Sequence, residues 1–146
     1  MSALAWIVIH IGFPLSLFFL GLIMRIVASS GSISWEIFNA SELAVCAILL
    51  SLFVSHSLVR NEILLPTNEK RDAIRVWVYI FWVIIFFMTA FFAAVHYTGQ
   101  YSVTHEQSAA GTHKHIFESL VIVLTVITTF LAYRVQQHFR LETRIL

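Results

Sequence analysis

Residues 76–95 read VWVYIFWVIIFFMTAFFAAV, and none of these side chains is charged. A helix that crosses the hydrocarbon core of a bilayer needs about 20 mostly apolar residues. Lipid offers no partner to a backbone N–H or C=O, so only a helix or a closed barrel can span it. Barrel strands run about 9–11 residues and alternate strictly between apolar and polar. The stretch is about twice that length and apolar all round, so it predicts a membrane-spanning helix.

Three further runs share this character. The spans are predicted over residues 3–28, 41–59, 73–97 and 116–133, and almost every charge lies between or beyond them. The chain is 59% hydrophobic and 12% charged, with a mean hydropathy of +0.84. The expected fold is an all-α integral membrane protein: one four-helix domain over 1–146, with a helical tail at 134–146. Four spans occupy most of the 146 residues, so function is expected in the bundle, the short links or the tail. No basic stripe interleaved with aromatics accompanies the net charge of +1, which argues against nucleic acid as a partner. One cysteine, Cys46, allows no internal disulfide and no Cys-x-x-Cys pair. The first run lacks a basic flank and a small-residue cleavage site, so it reads as a retained helix.

Basic residues in short links set orientation. Arg60, Lys70, Arg71, Arg75, Arg134, Arg140 and Arg144 lie on one side, and only Arg25 and Lys114 on the other. This bias predicts cytoplasmic termini, a cytoplasmic 60–75 link, and external links at 29–40 and 98–115. Aromatic anchors agree, with Trp77, Tyr79, Trp82 and Tyr133 towards the inner face and Tyr97 and Tyr101 towards the outer. Trp35 is expected at the outer interface. Pro14 removes a backbone donor and crowds the preceding turn, so a kink is expected near Gly12–Phe13–Pro14, freeing the His10 carbonyl. Asn39 to Glu42 resembles a capped helix start.

Ionisable and polar groups inside a membrane are the candidates for chemistry. Glu118, Ile122, Thr125, Thr129, Ala132 and Gln136 recur at helical spacing on one face of span four. Repeated around a symmetry axis, this face would build an acidic ring at the mouth and hydroxyl rings within, as a cation-selective pore requires. Helix packing through threonine hydroxyls is the competing reading. The expected function is a homo-oligomeric, cation-preferring ion channel with Glu118, Thr125, Thr129 and Gln136 lining the path.

Span two carries Ser51 and Ser55 one turn apart, as small residues at a close helix contact would be. Arg25 and Glu42 are expected at one level as an ion pair. His10 and His56 fall at similar depth and suggest an alternative: a redox subunit binding haem or quinone, or a proton relay. The outer link holds His105, His113 and His115, with His113-x-His115 on a strand as a candidate zinc or copper chelate. A third reading is a membrane subunit docking a larger partner through its tail. No catalytic residues are assigned.

Reporter fusions test the orientation. A reporter after Leu146 or within 67–72 is expected to be cytoplasmic, and one near Ser108 external. An external reporter at the C-terminus would reverse the topology.

Overall fold

A computed structural model describes residues 3–28, 39–62, 68–104 and 108–139, all but Asn39 helical. The first span is composite. Helix α1 (Ala3–Ile7) leads into a π-helical turn (Val8–Gly12), and α2 (Phe13–Ala28) follows. Then come α3 (Ala40–Glu62), α4 (Asn68–Thr104) and α5 (Ser108–Phe139). Four helical segments, Leu4–Ala28, Ala40–Glu62, Lys70–Ala94 and Ile116–Phe139, are long and apolar enough to cross a membrane. The architecture is that of a multi-pass membrane protein.

Large apolar side chains point outward, among them Leu20, Met24, Phe86 and Val126, while Ser51, Thr125, Thr128 and Gln136 are buried. Tyr79, Trp82, Tyr97 and Tyr133 are also exposed, as anchors at a membrane surface would be. Trp35 and the Tyr101 side chain lie outside the described residues.

Helix α3 is the centre of the bundle, packing against α2, α4 and α5. In its span 56% of residues are buried, against 11–28% in the other three. Composition explains the choice. Apolar surface gains little by leaving lipid for protein, so helices associate where small residues let backbones approach. Ala40, Ala44, Ala47, Ser51 and Ser55 recur along one side of α3, and all are buried. Leu50, Val54 and Leu58 pack with Trp6, Phe81 and Ala132 in one apolar cluster, and Ala44 and Ala47 with Phe18, Met88 and Val121 in another.

The helices outrun the predicted spans. α3 continues to Glu62, α4 begins at Asn68 and reaches Thr104, and α5 begins at Ser108; its run to Phe139 is the first part of the expected helical tail, whose remaining residues 140–146 lie outside the described residues. Hydropathy locates the bilayer, whereas a helix propagates as long as each residue adds a backbone hydrogen bond. The extension puts His113 and His115 in α5 instead of on a strand. Their side chains, and His105 entirely, lie outside the described residues.

Just before the expected kink at residues 12–14, the first span holds a π turn over Val8–Gly12. It closes with the Phe13 N–H donating to the Val8 carbonyl, a local adjustment that membrane helices use beside proline. The start of α3 matches the capping expectation in part. Asn39 Oδ1 accepts from the Ser41 N–H at 3.1 Å and from Ser41 Oγ at 2.6 Å. Glu42 does not close a reciprocal box. Its Oε1 accepts from Asn39 Nδ2 at 3.3 Å and pairs with Arg25 Nη2, the ion pair read from the sequence.

Gly21 makes room for that pair. A Cβ at Gly21 would stand 2.8 Å from Glu42 Oε2, and its other near neighbours are also Glu42 carboxylate atoms. Gly21→Ala is therefore expected to lower stability in detergent by about 1–2 kcal/mol through overpacking. In a Glu42→Ala background the same change should be neutral or stabilising, because alanine is the better helix former by ~1 kcal/mol. Equal costs in both backgrounds, measured by thermal unfolding, would show that the Gly21–Glu42 contact does not set the helix spacing.

Candidate functional site

The polar face of α5 turns into the chain's own interior. Glu118 is 3% exposed, Thr125 5% and Gln136 2%, and Ala132 is fully buried. Ile122 and Thr129 are half-buried at the edge of this face. Thr128, beside it in sequence, is fully buried. From Glu118 to Gln136 the face extends about 27 Å at 1.5 Å per residue, close to the thickness of the hydrocarbon core.

Each threonine donates its proton back along the helix. Thr125 Oγ1 bonds the Val121 carbonyl at 2.7 Å, Thr128 the Leu124 carbonyl at 2.7 Å, and Thr129 the Thr125 carbonyl at 2.8 Å. Ser51 Oγ does the same to the Ala47 carbonyl at 2.8 Å. A hydroxyl has one donor and two acceptor lone pairs. With the proton committed, the oxygen keeps acceptor capacity, which suits a cation better than an anion.

α3 supplies a second buried polar series: Ser51, Ser55, Ser57 and Asn61. The two helices pack directly and, joined through one intervening span, run in the same direction. Asn61 and Gln136 therefore both lie at the end of the bundle where α1 begins and α5 ends. Ser57 Oγ accepts from Trp6 Nε1 at 3.3 Å, which ties the first span to α3. Asn61 Nδ2 donates to the Ser57 carbonyl at 2.8 Å. Asn61 Oδ1 and Ser55 Oγ are buried without a hydrogen-bond partner.

Asn61 lies beyond the sequence-based span 41–59, because Arg60 reads as the start of the charged link. Its spacing was the available signal: Ser57 and Asn61 are four apart, one turn on the same face.

The two membrane histidines have different surroundings. His10 stacks on Trp6, with ring centroids 4.5 Å apart and planes 7° apart, and Phe53 meets it edge-on at 6.4 Å. His10 Nδ1 lies 3.1 Å from the Trp6 carbonyl. His56 is exposed on the outer side of α3.

Near Glu42, Leu17, Phe18, Val45, Cys46 and Phe92 line a cavity of about 170 Å³. A larger one, about 640 Å³, opens between α4 and α5 beside Trp77 and Arg134. Neither histidine lines either cavity. Among the described residues no group of three His, Cys, Asp or Glu side chains is placed to hold a metal.

Set beside known proteins, the chain matches no family model, no curated protein and no solved structure. The geometry of the site thus carries the functional argument.

Asn61 offers a check on this geometry. A buried acceptor left unpaired costs about 1–3 kcal/mol, whereas an apolar group of the same shape costs little. Asn61→Leu is expected to leave the melting temperature in detergent unchanged or raised. A fall of several degrees would mean that Asn61 Oδ1 is paired in the folded protein.

Proposed function

We propose that this chain is a membrane protein that passes small cations across the bilayer along a path within each copy, with both termini on the cytoplasmic side. One observation carries the reading: an apolar bundle keeps a carboxylate, Glu118, and a file of hydroxyls and amides buried between its own helices. Ionisable side chains within membrane spans are rare and concentrate on ion pathways.

The proposed route follows the α3–α5 seam inside each chain and not an axis between copies, because Glu118, Thr125 and Gln136 are covered within one chain. Glu118 stands at the outer mouth and attracts cations by its charge. Thr125 and Thr128 present acceptor oxygens in mid-membrane, and Asn61 and Gln136 line the inner end. With the hydroxyl protons bonded to their own helices and Leu50, Val54 and Val121 fully buried in the bundle, the seam as seen is closed. Passage requires α3 and α5 to part.

Flux in vesicles tests this. Reconstituted protein is expected to pass potassium in preference to chloride. Glu118→Gln should lower that preference by about tenfold, the factor for ~1.4 kcal/mol of attraction. Thr125→Val keeps the side-chain shape and should cut conductance by removing an acceptor. Val123→Ile, on the exposed side of α5, should change nothing. A folded, reconstituted protein without flux at any voltage or pH, or one indifferent to both site variants, would remove the proposal.

A further inference from the structure

The 640 Å³ cavity between α4 and α5 is separate from the polar seam and differs from it in chemistry. Trp77 stands on the α4 side, and Phe130, Leu131, Arg134, Gln137 and His138 on the α5 side. The Arg134 guanidinium lies over the Phe130 ring, 5.6 Å from its centroid, which orients it at the groove. Among the described residues no carboxylate pairs with Arg134. Arg75, two residues before Trp77, makes the contrast. It bonds Glu62 Oε1 at 2.6 Å and Asp72 Oδ1 at 3.4 Å, so its charge is already balanced. Lys70 lies two turns before Trp77 on the same face of α4 and is exposed.

The groove therefore combines a basic rim with an apolar, aromatic wall. It lies at the end of the bundle where α1 begins and α5 ends, near the outward-facing Tyr79 and Tyr133 that mark a headgroup level. A peptide or a soluble anion would use the charge and leave the apolar wall unused. A phospholipid with an anionic headgroup matches both, and basic pockets between membrane helices hold such headgroups.

We propose that this groove is a binding site for one anionic phospholipid from the leaflet on the side of the termini. Arg134 and His138 hold the headgroup phosphate, Lys70 adds charge at the rim, and acyl carbons lie along Trp77, Phe130 and Leu131. The assignment does not depend on ion passage, since it uses none of the seam residues.

Native mass spectrometry of the full chain, released from detergent with phosphatidylglycerol or phosphatidylcholine, tests it. The chain is expected to retain one phosphatidylglycerol in preference to phosphatidylcholine. Arg134→Gln with His138→Gln should weaken retention by roughly fivefold or more, since the lost arginine charge alone is worth ~1 kcal/mol near an anionic surface. Arg134→Lys should keep most of it, which separates lost charge from lost folding. Arg60→Gln, an exposed charge on α3 away from the groove, should have no effect. Equal retention by the double variant, equal retention of phosphatidylcholine, or displacement of the lipid by millimolar inorganic phosphate would overturn the proposal.

Discussion

Close approach to α3 is the constraint on which the rest of this bundle depends. In lipid, helices are not driven together by removing apolar surface from water. What holds them is contact, and contact requires small side chains at the crossing. Ala40, Ala44, Ala47, Ser51 and Ser55 provide that along one helix, and every other span rests on it directly. Gly21 repeats the principle from the opposite side, giving the Glu42 carboxylate space against α2. The Trp6–Ser57 bond and the Arg25–Glu42 pair then fasten the first span near both of its ends.

The same serines and threonines combine two physical properties. Bonded back to a carbonyl four residues earlier, each hydroxyl is small, neutral and compatible with a dry interface. It also leaves an oxygen with spare lone pairs inside the bundle. Packing alone accounts for Ser51 or Thr125. Glu118 differs from them in carrying a carboxyl group among the buried side chains, and the proposed route depends on that group.

Much of the fold was legible because hydropathy and helical spacing are local properties. The four spans, the polar face of α5, the Arg25–Glu42 pair and the Asn39 cap all follow from residues near one another in sequence or at one depth. What was not legible depends on neighbours. A single helix with a polar face reads the same whether it meets a copy of the chain or α3 of its own chain. The burial of Glu118 and Gln136 within one chain was therefore beyond periodicity. Asn61 escaped because charge at Arg60 was taken to end the span, though the helix continues past it. The expected His113-x-His115 strand failed for a related reason: a polar composition does not stop a helix that is already growing.

The π turn in the first span has a consequence for phase. The buried residues there are Trp6, Ile11, Pro14 and Phe18. The last three are spaced by three and four, as an α-helical stripe requires. Between Trp6 and Ile11 the step is five, which an unbroken α-helix would rotate off the stripe by about 100–140°. The wider turn over Val8–Gly12 absorbs this extra residue and returns the indole to the side facing α3. The first span is in effect two helical stripes joined across a dislocation, and the proline that creates the mismatch also aims Trp6 at Ser57.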